Sequence, residues 1–207
     1  MERYRISSIE PNLLNDSIIQ LFANSKKALP HFHIPLQSGS DKVLKDMKRR
    51  YNVNDYAELI KKLNKKIHNI CIGVDVIVGF PSETDNDFLK TYNFISEIDI
   101  SYMHVFSYSK RTNTEAFSMT SIANKEDIVC RRKMLQSLSE DKFKKHIKRN
   151  INHIQNVLFE ENQDGFAQGL TENYIRVYVQ SDQSLKNKIK KVKLVSHDEN
   201  VMGQFCE

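Results

Sequence analysis

The stretch "CIGVDVIVGF", residues 71–80, decides the fold. It is an almost continuous apolar, β-branched run, which is how a strand buried on both faces reads, and such strands belong to parallel sheets covered by helices. One residue breaks the pattern. A carboxylate in mid-strand is costly to bury without a partner, and strand alternation puts Asp75, Ile77 and Gly79 on the face opposite Val74, Val76 and Val78. Asp75 therefore marks either an interior ligand site or a buried structural pair.

Upstream, the same alternation of element types recurs. "RYRISSIEP" (3–11) reads as a strand stopped by Pro11. "LLNDSIIQLFANSKK" (13–27) reads as a helix with Leu14, Ile18 and Leu21 on one face, and "FHIPL" (32–36) as the next strand. Ser40 is a good N-cap with Asp41 in the first turn of a helix that buries Val43, Leu44 and Met47. A second helix, "VNDYAELIKKLNKKI" (53–67), carries Tyr56, Leu59, Ile60 and Leu63. Downstream come a helix, "PSETDNDFLKTYNFISEI" (81–98), and a strand, "YMHVFSYS" (102–109). Strands alternating with helices predict βα units and a parallel sheet. A long charged helix over 125–150 follows, with Ile128, Met134, Leu135 and Leu138 as its anchors. Beyond it the style changes to short strand candidates ("HIQNVLFEEN", "GFAQGLTE", "NYIRVYVQ", "KIKKVKLVSH", "NVMGQFCE") punctuated by Gly, Asn and Asp. That predicts an α/β domain over 1–150 and a small all-β domain over 151–207.

With 207 residues the chain can bury a real core, and 40% apolar with 28% charged residues excludes a disordered chain. No apolar run approaches a membrane span and no signal peptide leads the chain, so a cytoplasmic location and no membrane partner are expected. Lys and Arg number 31 against 26 Asp and Glu, and most of the +5 excess sits in "KFKKHIKRN" (142–150) and "KNKIKKVK" (186–193). Such clusters attract phosphate backbones, though a solvated helix face or a lysine-protected edge strand reads the same way. Cys71, Cys130 and Cys206 are too far apart in sequence for a CxxC or CxxxCxxC motif. No metal site is therefore expected, and reduced thiols are.

Ligands of parallel α/β sheets sit at the carboxyl ends of the strands. Those ends here are Ser7-Ser8-Ile9-Glu10, Gln37-Ser38-Gly39-Ser40, Gly79-Phe80-Pro81-Ser82-Glu83 and Ser107-Tyr108-Ser109-Lys110-Arg111, all polar or glycine-containing after apolar strands. Gln37 and Ser38 would hold a ligand there, unless the Gln-Ser-Gly-Ser corner only turns the chain and caps a helix. His31 and His33 share a strand face, and without a third ligand they read as satisfied strand histidines. Arg49 and Arg50 suit a helix C-terminus or a bidentate grip on a carboxylate. In "NYIRVYVQ" alternation puts Tyr174, Arg176 and Tyr178 on one face, an arrangement suited to base stacking and phosphate contact. An ordinary amphipathic strand would look similar.

Together "HFHIPLQSGSDKVLKDMKRRY", "DVIVGFPSETDNDF", "HVFSYSKRTNTEA" and "GLTENYIRV" resemble the radical S-adenosylmethionine methylthiotransferases that modify transfer RNA, over essentially the whole chain and in order. "SSIEP", "HIPLQSGSD", "HVFSYSKR" and "TENY" are most similar to the branch acting on N6-threonylcarbamoyladenosine next to the anticodon, converting it to its 2-methylthio derivative. The resemblance implies a partial parallel (β/α) barrel followed by a TRAM domain, a small β-barrel that grips the transfer RNA. It implies S-adenosylmethionine and two [4Fe–4S] clusters as cofactors, an electron-donor protein as a further partner, and a monomer. For site residues it implies cofactor contacts from Ser8, Glu10, His33, Gln37, Ser38, Arg49, Asp75, Val78, Gly79 and Phe106, and RNA contacts from Lys110 and Arg111; the residue pattern itself adds Tyr174, Arg176, Tyr178, Lys188, Lys190, Lys191 and Lys193 as RNA candidates. The chain departs from the pattern in lacking the cysteines for both clusters. Ser82 stands where the family usually has Gly, as does Asn113 before Thr114. A C-terminal part of such an enzyme, inactive alone, is thereby expected. The competing expectation is a stand-alone RNA-binding protein with a non-catalytic α/β scaffold.

Overall fold

A computed structural model describes residues 2–197 and 200–206. Met1 and Glu207, the outer ends of the two expected domains, and residues 198 and 199 lie outside the described residues.

Four strands, β1 (Tyr4–Ile6), β2 (Ala28–His33), β3 (Cys71–Val78) and β4 (Tyr102–Ser107), form a sheet whose spatial order is their chain order, with every pair parallel. Sequential order without reversal keeps the crossover helices on one face, as in a barrel wall, whereas a doubly wound sheet reverses. Those helices are α1 (Asp16–Asn24), α2 (Asp41–Asp46), α3 (Val53–Lys66), α4 (Asp85–Glu97) and α5 (Lys125–Asn150). Phe32, Ile34, Val74, Val76 and Val78 face them and share one core with Phe22, Tyr56, Ile60, Phe88 and Leu135. The opposite face carries Arg5, His33, Asp75, Ile77, His104 and Phe106, all partly or fully exposed.

Local chemistry sets the helix starts. Asn52, Thr84 and Asn124 each form a capping box with the aspartate three residues on, so α4 begins at Asp85 and not at Pro81. Asn15 caps α1 by accepting from the Ile18 amide, which rotates the buried stripe onto Ile19 and Phe22 and leaves Leu21 56% exposed. Ser40 is the N-cap of α2, but its hydroxyl donates to Asp87 at 2.8 Å instead of accepting from its own helix. The stripe of α5 also departs from expectation. Met134 is 38% exposed, while Arg131, Lys142, His146 and Asn150 are buried beside Leu135. Lys142 and His146 of the basic run 142–150 are thus turned inward, whereas Lys144, Lys145, Lys148 and Arg149 stay exposed: Lys142 donates to the carbonyls of Ser96 and Ile98 at the end of α4.

Beyond α5, strands β5 (Ile154–Gln163), β6 (Phe166–Thr171), β7 (Arg176–Gln180), β8 (Ile189–His197) and β9 (Asn200–Phe205) close into a barrel in the order β5-β6-β7-β9-β8. Its core is Val157, Phe159, Ala167, Val177, Val179, Val192, Leu194 and Val201. Closure removes the exposed edges that a five-stranded sheet would otherwise present.

Candidate functional site

At the carboxyl ends of β2, β3 and β4 the chain encloses a cleft of about 900 Å³. Its floor exists because β2 overshoots. Leu36 and Gln37 both donate to the Asp75 carbonyl, Ile77 donates back to the Gln37 carbonyl, and Gln37 adopts φ +68°. This one bulge-like step carries the Gln37 side chain to the mouth. The carbonyls behind it are held from the helix side: Tyr51 donates to Pro35 and Leu36, and Tyr56 to Ile34. Burial pushes both phenols above their ordinary pKa, so they remain donors.

Polar groups converge here. Asp75 Oδ1 lies 2.9 Å from His33 Nε2, and the His33 ring stacks 5.5 Å from that of His104. Arg49 Nη1 donates to Glu10 Oε1 at 2.9 Å while its Nε is buried with no protein partner. Lys48 and Glu115 form an exposed ion pair across the rim at 3.2 Å. Ile77, Phe80 and Phe106 supply apolar lining. Behind Phe80, Gly79 adopts φ +75° and a Cβ there would come 2.6 Å from Ile128, which only glycine avoids. Its amide donates to Glu83 Oε2 at 2.8 Å, and the same oxygen accepts from Arg131 Nη1 at 2.6 Å. The Ser82 hydroxyl donates to Asp46 on the cleft wall, a bond glycine could not make.

Of the expected cofactor residues, Gln37, Arg49, Asp75 and Phe106 line this cleft, with Glu10 paired to Arg49 and His33 to Asp75. Ser8 is exposed on the segment leading to Glu10, and Gly79 lies behind the lining. Two side chains point elsewhere. Ser38 is 1% exposed and 3.2 Å from Thr91 on α4, and Val78 is 0% exposed in the helix-side core, because alternation along β3 sends it there. Among the expected RNA residues, Lys110 is exposed beside the cleft whereas Arg111 lines it. Arg176 and Tyr178 point out of β7, and Lys188, Lys190, Lys191 and Lys193 are exposed in and before β8. Tyr174 does not share that face. It precedes β7 in a turn at φ +69° and packs on His31. Glu83, Arg131 and Tyr51 went unrecognised in the sequence as supports of the site. Only the carboxylate four residues after Gly79 hinted at them.

The cleft fits S-adenosylmethionine in chemistry: a free guanidinium N–H, an amide, a carboxylate and apolar walls suit an amino-acid carboxylate, a ribose and an adenine. An iron–sulfur cluster does not fit. Burial pushes the Cys71 thiol up to about 12, Cys130 is exposed on α5, and no group of three or more His, Cys, Asp or Glu able to hold a metal exists among the described residues.

A sequential parallel sheet with a cleft at its strand ends has the form of a partial α/β barrel wall, and residues 2–95 match the Radical SAM superfamily. The chain is 38% identical over 200 residues to the threonylcarbamoyladenosine tRNA methylthiotransferase MtaB of Bacillus subtilis, covering 94% of this chain and 44% of that protein. It is 33% identical over 204 residues to the tRNA-2-methylthio-N(6)-dimethylallyladenosine synthase of Sulfurimonas denitrificans, covering 98% and 47%. The chain thus spans about half the length of these relatives. The archaeal Elp3 of Methanocaldococcus infernus shares the fold, with a TM-score of 0.51 at 11% identity over 94% of this chain and 58% of that one. The chain belongs to the radical SAM tRNA methylthiotransferase family.

Proposed function

We propose that this chain forms the cofactor cleft and the RNA grip of an enzyme that methylthiolates N6-threonylcarbamoyladenosine in transfer RNA. The cleft carries the reading: Gln37, Arg49 and Asp75, from three separate segments, line it together at the strand ends, and the Arg49 Nε–H has no protein partner. When bound, S-adenosylmethionine supplies the methyl group and the source of the radical. Arg49 would hold its carboxylate, Gln37 and Asp75 its polar edges, and Phe106 its adenine, while the closed barrel, read as a TRAM domain, holds the RNA through β8. The cluster that such chemistry requires is not held by the described residues, and an electron-donor protein completes the system. The threonylcarbamoyl substrate is favoured over the dimethylallyl one by the "SSIEP" and "TENY" motifs.

Two measurements test this reading. In the cluster-loaded full-length enzyme Asp75→Ala is expected to weaken S-adenosylmethionine binding about 10-fold or more by calorimetry, since it removes a charged hydrogen bond worth about 1.5 kcal/mol or more, and Gln37→Ala about 3- to 10-fold, since a neutral one is worth about 0.5–1.5 kcal/mol, with iron content unchanged. Wild-type affinity in both variants refutes the assignment. On the barrel, changing Lys188, Lys190, Lys191 and Lys193 to alanine is expected to flatten the slope of log affinity for transfer RNA against log salt by about 0.7–0.9 per lost phosphate contact. An unchanged slope in filter binding means that these lysines merely solvate an edge.

A further inference from the structure

The "TENY" turn carries more than its place in the sequence suggests. At its centre Asn173, 1% exposed, reaches across to the end of α5. Its Nδ2 donates to Asn150 Oδ1 at 2.9 Å, its carbonyl lies 3.2 Å from His146 Nε2, and its Oδ1 accepts from the Thr171 hydroxyl at 2.7 Å. Asn150 Oδ1 also accepts from Asn69 and Gln155, so one oxygen ties the α3–β3 loop, α5, β5 and this turn together.

Tyr174 completes the joint on the inner face of the sheet. Its ring lies 4.4 Å from that of His31 and stacks 6.2 Å from that of Tyr102, and the Arg5 guanidinium covers it at 4.8 Å. Tyr102 reaches this position only because β3 offers Gly73 beneath it: a Cβ there would come 2.3 Å from the Tyr102 ring. From β4 the phenol crosses β3 and ends 3.0 Å from His31 Nε2 on β2. Three strands of the sheet and one turn of the barrel therefore meet in a single stack. With His31 and Arg5 both packed against its ring, Tyr174 is engaged within the protein.

We propose that the turn 171–174, with Tyr174 as its key, is a positioning element that locks the small barrel onto the parallel sheet, so that an RNA held on β8 meets the cleft at a fixed offset. The lock itself stands on the geometry alone; its consequence for RNA rests on the function proposed above. Tyr174 acts through the barrel and touches no substrate.

The test uses the full chain with spin labels on Cys130 of α5 and on a cysteine introduced by Asp182→Cys, with Cys206→Ser. The wild type and Tyr174→Phe, which keeps the stack, are expected to give one narrow inter-label distance, and Tyr174→Ala a broad distribution. With a photo-crosslinking amino acid at Phe106, transfer RNA is expected to crosslink at one short stretch in the wild type and Tyr174→Phe. In Tyr174→Ala that yield should drop about fivefold while affinity changes no more than about twofold, because the lysines of β8 are untouched. A narrow distance in Tyr174→Ala overturns the lock. An affinity loss of about 10-fold with the crosslinked stretch unchanged overturns it too, because Tyr174 would then be stacking on RNA directly. If the wild type binds no transfer RNA, the functional reading fails and the distance measurement alone decides the lock.

Discussion

Arg131→Met is expected to destabilise the chain by about 3–5 kcal/mol, the usual cost of stranding one partner of a buried ion pair. Arg131 and Glu83 are 5% and 1% exposed and 2.6 Å apart, and the second guanidinium nitrogen donates to Asp85 at 2.6 Å. Removing the cation leaves Glu83 buried with Oε1 already unpartnered and only the Gly79 amide on Oε2. Burial, with Asp87 nearby adding to it, drives the Glu83 pKa up, and loss of Arg131 removes a hydrogen bond and a charge that oppose this, leaving only the Gly79 amide against it. The stranded carboxyl should then take up a proton, so the deficit should shrink as pH falls. Adding Glu83→Gln to the variant should recover part of the loss, since the amide keeps the volume without the charge. Urea denaturation of the three proteins measures this; a loss below about 1 kcal/mol in Arg131→Met would show that the pair is dispensable.

Acid should loosen the seam between sheet and barrel. Burial, reinforced by Arg5, His33 and His146, lowers the His31 pKa from 6.5 to about 4, and burial lowers that of His146 as well. A histidine whose folded pKa is depressed contributes stability that is fully present above its unfolded pKa and is lost as pH falls through the folded one. The window therefore runs from about 6.5 down to about 4, and His31 alone accounts for about 3 kcal/mol across it. The denaturation midpoint of the wild type should fall in this window more steeply than that of His31→Phe, which keeps the ring but cannot titrate. Parallel curves for the two proteins would exclude His31 as the cause.

Much of the α/β half was legible because its signals are local. The β-branched run 71–80 announced a buried strand, and alternation along it placed Asp75 on the open face. The polar strand ends announced the mouth where Gln37, Arg49 and Asp75 meet. Side-chain period fell short at two points. It put Tyr174 on a strand that begins only at Arg176, since the left-handed residue before β7 breaks the period. On α5 the expected anchors Ile128, Leu135 and Leu138 do pack on the core, but the helical period gave no sign that Arg131, Lys142, His146 and Asn150 are buried as well. Their burial is tolerable only because partners 23 to 48 residues away satisfy them, and no periodicity encodes partners at that range.

By itself the sequence determined the order of elements, the parallel sheet, the small β module and the polar character of the strand mouth, because these follow from side-chain period and capping over a few residues. Tertiary structure alone decided that Ser38 turns away from the cleft to meet Thr91, that Arg131, Lys142 and His146 are buried on α5, and that Tyr174 and Asn173 join the barrel to the sheet. Those outcomes depend on which distant groups can satisfy a buried donor, acceptor or charge, and that is settled only when the chain has packed.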